Sequence, residues 1–292
     1  MMTDGTSLRG RVAGAALRRH REAIGYRLDD AALVLGCDRS KISRIEAGLR
    51  GIRAAELRAL LAEYGVDAGE QDTLEIVADR RAGRGWWDEY ADVLPGEMQD
   101  FLALETAASR LLVYEPQLVP AVLQTESYAL DLASADPGLP AGSQDRAAEA
   151  VMIRQQHVLS QGGLEVTAVL GQAALCQAVG GAAVMGAQLS QLAAFGEDLP
   201  GVRVQVLPFS GGAHAASGVG PLAVLELAGN PSLGVVRLGG LSGGVCLEDP
   251  AAVARYAGLF RRLRAAALPP GESARLIRDT AARYRPDGTQ PG

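Results

Sequence analysis

A chain of 292 residues with 48% hydrophobic and 21% charged side chains and a formal net charge of -6 has globular composition, which excludes a disordered chain and a uniformly basic nucleic-acid coat. No apolar run nears the ~20 residues needed to cross a bilayer, and Met1 to Gly10 lacks the apolar stretch of a secretory leader. Three distant cysteines, Cys37, Cys176 and Cys246, fit neither a disulfide framework nor a zinc spacing, and read as reduced thiols in a cytoplasmic protein. The charge is uneven: residues 1–53 hold eleven basic and six acidic side chains, a balance of +5, which leaves -11 for the rest. A basic module on an acidic body suits an anionic partner at one end only.

The spacing predicts a first helix over 8–24, with Val12, Ala16 and Leu17 on one face and Arg18, Arg19 and Arg21 around the outside. Gly25 ends it, and 29–35 forms a short second helix carrying Ala31, Ala32 and Leu35. Gly36-Cys37-Asp38 is a tight turn, and the Asp38 carboxylate caps a third helix over 39–46. Ile42 and Ile45 face inward there, while Arg39, Ser40, Ser43 and Arg44 project elsewhere. A fourth helix spans 54–64 behind Gly48, with Leu57, Leu60 and Leu61 on one face, and a fifth is expected over 70–82.

Gly83-Arg84-Gly85 reads as a joint, followed by the aromatic group Trp86, Trp87 and Tyr90. Helices are predicted at 97–113, 124–134 and 143–161, with Pro116 and Pro120 between the first two and a Pro- and Gly-rich loop at 136–143. Strands follow at 164–170 and 202–207, with a helix over 182–197 between them, then at 221–227, 233–238 and 244–248. The turn Gly229-Asn230-Pro231 separates the third and fourth of these. Asp249 and Pro250 open a helix over 250–267 with Val253, Tyr256, Phe260 and Leu263 on one stripe. Pro269-Pro270 stops it, a last helix covers 272–284, and the tail 286–292 is expected to be disordered. The expected organisation is an all-α helix-turn-helix domain over 1–80 and a larger α+β regulatory and dimerisation domain over 81–285, its small mixed or antiparallel sheet flanked by helices.

Two short helices joined by a Gly-containing turn let the second enter the major groove, where its N-terminal residues reach base edges. Arg39, Ser40 and Arg44 are the candidate base readers, since arginine can bond both acceptors of a guanine. Lys41 and Ser43 would serve phosphate or a flanking base, and Arg50 and Arg53 would clamp the backbone. Solvated arginines on ordinary amphipathic helices would look much the same.

The string Leu35-Gly36-x-x-x-Ser40-x-Ile42-Ser43-Arg44-Ile45-Glu46-x-Gly48 resembles the helix-turn-helix of Xre/Cro-type repressors, over about Leu17 to Val66. By position the resemblance implies that Arg39, Ser40 and Arg44 read bases and that Glu46 braces the module. The Thr-Gln that usually opens the second helix is Arg27-Leu28 here, which removes one cap and one phosphate contact. Gly85-Trp86-Trp87, the run Glu115 to Thr125, Val204 to His214 and Arg264 to Leu268 resemble the large C-terminal domain that follows such modules in actinobacterial regulators, with Ala121 in place of a usual Gly. The resemblance implies an antitoxin-like regulator, often encoded beside a small partner protein, and offers no catalytic residue.

The three histidines, His20, His157 and His214, lack metal spacing, and Ser210 or Ser217 beside His214 has no marked acid, so neither an enzyme nor a cofactor is expected. Trp86, Trp87, Tyr90 and His214 could line a small-ligand pocket, although packing at the joint is the weightier reading. The expected partners are double-stranded DNA, a second copy of the chain joined through the large domain, and a small protein or ligand that controls it. Neutralisation of that small protein, with DNA binding secondary, is the alternative.

Overall fold

The computed structural model describes residues 7–79, 85–160, 164–228, 230–240 and 244–284. The expected joint at Gly83 and Arg84, Gly229 of the expected turn and the tail 286–292 lie outside these residues.

The N-terminal helices are α1 (Leu8–Ala23), α2 (Leu28–Leu35), α3 (Arg39–Glu46), α4 (Ala54–Glu63) and α5 (Ala68–Ala78). Short polar residues start three of them. Ser7 Oγ accepts from the Gly10 amide at 3.2 Å, Asp38 from Lys41 at 2.9 Å and Asp67 from Glu70 at 3.1 Å. Their apolar faces meet in one core that holds Leu17, Ile42, Ile45, Leu57, Leu61 and Leu74. Gly14 lets α1 press onto the end of α3: a Cβ there would stand 2.6 Å from the Ile45 and Glu46 carbonyl oxygens. The helix expected over 70–82 is shorter, because the backbone at Asp79 is already extended.

Trp86–Tyr90 forms a single 3-10 turn, and α6 (Gly96–Glu105) follows. The helix expected over 97–113 is in fact α6 and then the strand β1 (Ala108–Glu115). Leu111 and Val113 of β1 join the core on one face of the sheet, and Leu112 and Tyr114 that on the other. A strand buried on both faces reads as an unbroken apolar run, which periodicity alone cannot tell from a helix.

The remaining elements are α7 (Glu126–Ala135), α8 (Gln144–Ser160), β2 (Glu165–Gly171), α9 (Ala173–Cys176), α10 (Gly181–Asp198), β3 (Val202–Leu207), β4 (Leu222–Leu227), β5 (Asn230–Leu238), β6 (Val245–Leu247), α11 (Pro250–Ala266) and α12 (Pro270–Ala281). Among the described residues six strands form one mixed sheet in the order β3-β2-β1-β4-β5-β6. β1, β2 and β3 run parallel, and β4, β5 and β6 pair antiparallel.

Helix α11 covers one face of the sheet through Val253, Phe260 and Leu263. The other face carries α6, α8, α10 and α12, through residues such as Phe101, Val158, Leu189 and Ile277. The outer strand β3 is sealed by the segment after α11: Leu268 donates to the Val206 carbonyl at 2.9 Å, and the Val206 amide donates to Ser273 Oγ at 3.0 Å. The helical bundle rests on this body through α1 and α5. The Leu8 amide donates to Asp100 of α6 at 2.9 Å, Arg11 pairs with Glu248 at 2.6 Å, and Asn230 reaches Glu70 at 3.4 Å.

Candidate nucleic-acid interface

The turn between α2 and α3 is built from Gly36, whose left-handed backbone (φ 58°) closes α2, and Asp38, whose carboxylate opens α3. Helix α2 starts without a side-chain cap on Arg27, as its sequence implies. Asp30 compensates by reaching back to accept from the Arg27 amide at 2.6 Å. Ile42 and Ile45 are 1% and 2% exposed, so they fix the rotation of α3 about its axis. That rotation leaves Arg39, Ser40, Ser43 and Arg44 exposed on the opposite side.

The exposed side chains differ in how they are held. Arg39 lies 4.0 Å from Asp29, with both side chains 66% exposed, so the contact is weak and easily given up. Arg44 folds back over its own helix, 3.3 Å from the Ser40 carbonyl and 3.4 Å from Ser40 Oγ. Ser40 also donates to the Asp38 carboxylate, and this bond, with the Lys41 amide, holds that carboxyl below its usual range. Arg50 and Arg53 are exposed past the end of α3, and among the described residues neither they nor Arg44 is ion-paired. Lys41 differs from its neighbours: its Nζ sits 2.6 Å from Glu56 Oε1, which ties α3 to α4.

Under this surface lies a buried brace. Arg21 of α1 makes a two-pronged pair with Glu46 at the end of α3, at 2.7 and 2.9 Å, with side chains 8% and 7% exposed. A third nitrogen of Arg21 donates to the Tyr26 carbonyl at 2.6 Å. Hydrogen bonding to Glu46 raises the Arg21 pKa, so the cation is favoured in place. Periodicity placed Arg21 on the outside; its partner 25 residues away could not be read from spacing.

The residues expected around a ligand pocket do not converge. Trp87 and Tyr90 are each 3% exposed and serve as packing. Trp86 contacts both and stacks on His157 at 5.8 Å. His214 instead lies edge-on to Tyr114 at 6.2 Å, and Tyr114 belongs to the core on the α11 side of the sheet. Its Nδ1 accepts from the Ala216 amide at 3.3 Å, and the Ser217 hydroxyl bonds the His214 backbone, so the two do not form a nucleophile and base. Among the described residues no three His, Cys, Asp or Glu side chains gather to hold a metal ion, and no helix is long and apolar enough to cross a membrane.

Residues 12–74 match a family model described as a helix-turn-helix domain. Residues 98–279, well over half of the chain, match one described as a domain of unknown function, DUF5753. No curated protein and no solved structure matches the chain.

Proposed function

We propose that this chain, which belongs to the family defined by the domain of unknown function DUF5753 and carries a helix-turn-helix domain ahead of it, is a sequence-specific transcriptional regulator that binds duplex DNA through α3. The observation that carries the reading is the division of α3. Its two isoleucines are buried, and Arg39, Ser40, Ser43 and Arg44 form an exposed face whose two arginines, among the described residues, make no close ion pair. In this reading Arg39 and Arg44 swing from their weak contacts to guanine edges, and Ser40 exchanges Asp38 for a base or phosphate. Arg50 and Arg53 hold the phosphate backbone, and Ser43 takes a flanking contact. Lys41 acts as a structural tie.

One such helix supplies few base contacts, so the regulator acts as a homodimer on half-sites about 34–36 Å apart, joined through the larger domain. It works in the cytoplasm, on the nucleoid when bound, without catalytic activity, and its C-terminal domain receives the controlling signal from a small protein or ligand.

Genome-wide DNA capture with the wild-type protein beside an Arg39→Ala/Arg44→Ala double mutant tests the proposal. The wild type is expected to enrich a pseudo-palindromic site with affinity that falls steeply with salt, and the double mutant to lose that enrichment. Equal, sequence-independent capture by both proteins would sink the proposal and leave a role in protein interaction.

A further inference from the structure

A cavity of about 380 Å³ lies where α1, α3, α5 and α6 converge, within the size range of small-molecule sites. Ile45, one of the two buried residues that set the rotation of α3, forms part of its wall. Helix α1 lends Gly10, Ala13, Gly14 and Leu17 at helical spacing. Only Leu17 carries bulk, so this face of α1 packs without filling the space. Val77 near the end of α5 completes the apolar lining.

One charged group in this wall has part of its hydrogen bonding undone. Arg9 is 6% exposed and borders the cavity. Its Nε donates to the Val77 carbonyl at 3.0 Å and its Nη2 to the Ile76 carbonyl, so one edge of the guanidinium is spent on the last turn of α5. The group is planar, and Nη1 stands on the opposite edge, turned away from those carbonyls. Among the described residues Nη1 is buried and meets no acceptor. Such a donor has given up water without a bond in exchange, which is costly for a charged group. Burial lowers the Arg9 pKa, and Asp100 and Asp79 raise it as nearby charges, with neither bonded to Nη1.

The missing partner is an acceptor, and the surroundings limit its charge. Arg9 and Arg50 border the cavity together with Asp79 and Asp100, so the formal charges around it already cancel. A carboxylate would add a third negative group beside two acids, and an ammonium would offer no acceptor and repel Arg9. A carbonyl oxygen accepts the hydrogen bond and leaves the balance as it is. The apolar lining suits a hydrocarbon body. Scaled from the ~150 Å³ that holds a benzene, the space takes a guest of at most about fifteen non-hydrogen atoms.

We propose that this cavity binds a small neutral molecule with an apolar body and one carbonyl group, whose oxygen accepts from Arg9 Nη1. The walls join the parts that a signal would have to connect. Asp100 belongs to α6 and also accepts from the Leu8 amide that starts α1, while Ile45 and Arg50 belong to α3 and the segment after it. What the ligand controls rests on the reading of the chain as a regulator; the binding does not, and is measured without DNA.

Calorimetric titration and thermal melting of the full-length protein test it, with acetophenone, 2-octanone and 4-phenylbutan-2-one as probes. The control is 3-phenylpropionate, which keeps the size of the last probe and carries a charge. At least one ketone is expected to bind and raise the melting temperature, and the carboxylate to bind at least about tenfold less tightly. Arg9→Met removes the donor at similar length and is expected to weaken ketone binding at least about tenfold. Ala78→Phe, at a half-buried position in the wall, narrows the cavity with Arg9 left in place. It is expected to abolish binding while the circular-dichroism spectrum stays that of the wild type. The proposal is overturned if no ketone binds at about 5 mM, if 3-phenylpropionate binds as tightly as the ketones, or if either variant, folded, binds like the wild type. Intact ketone binding with no specific DNA binding would overturn the regulator reading alone.

Discussion

The helical bundle and the sheet body each bury charge, but they hold it differently. In the bundle Arg21 is closed on Glu46 and Lys41 on Glu56, buried Arg9 donates to the Val77 and Ile76 carbonyls, and the arginines on the outer face of α3 point to solvent. In the body Arg154 and Glu105 are closed in the same manner, but Glu115 is held near Arg237 without being bonded to it. Free charge on the outside costs little and is available to a polyanion. Free charge on the inside is costly, and it persists in a fold only where other packing outweighs it.

The sharpest way to break the comparison is to open the buried pair. Glu46→Ala strands the Arg21 guanidinium and is expected to cost about 3–5 kcal/mol of stability, read by urea denaturation. A loss below about 1 kcal/mol would mean that the bundle tolerates an open internal charge as the body does.

Titration probes the other side. Glu115 titrates at about 7 in the fold against an ordinary value of 4.5, so the folded state holds its proton more tightly than the unfolded chain. The sign follows: this group's contribution is most favourable below pH 4.5, weakens as pH rises through 4.5 to 7, and is level above that. Glu115→Gln should remove that slope. Relative to the wild type it should gain about 2–3 kcal/mol between pH 4.5 and 8, measured by denaturation at several pH values. Parallel stability curves for the two proteins would show that the carboxyl is as well solvated as a surface acid.

Arg39→Ala and Arg44→Ala should each cost about 1–3 kcal/mol of affinity for the specific site, in fluorescence anisotropy, and change stability by less than about 0.5 kcal/mol. The smallest effects separate two neighbouring cations. Lys41→Ala should lose at most about 1 kcal/mol of stability and leave the salt dependence of DNA binding unchanged, because its charge is committed to Glu56. Arg50→Ala should leave stability alone and lower the salt slope by about 1. A lower slope from Lys41→Ala would place that lysine on phosphate instead.

The bundle was readable from its sequence because its instructions are local. Asp38 is a cap that acts within three residues, Gly36 ends a helix by its own backbone freedom, and Ile42 and Ile45 point inward by spacing alone. The exposed face of α3 followed from those marks. Glu46 as a brace came only from the resemblance, and its partner Arg21 from no local mark, since by spacing alone it looks like a solvated charge. Gly14 was equally silent: only the neighbouring carbonyls of α3 explain why it carries no side chain.

In the body the sequence marked the ends of elements better than their kind. Asp249 and Pro250 announced α11, and the β-branched runs announced β2 and β3. The strand β1 was hidden inside a predicted helix, because its apolar character comes from burial on both faces and not from one amphipathic side. With β1 went the meaning of Glu115, which depends on lying at the end of that strand, and Trp86 and His214 were joined in a pocket that the fold keeps apart. The sequence alone determined the caps, the turn and the outward cations, which are decided within a few residues. Tertiary structure decided which charges are closed and which face a cavity, since that depends on strands and helices far apart in the chain, and burial sets the energy of a charge only once they meet.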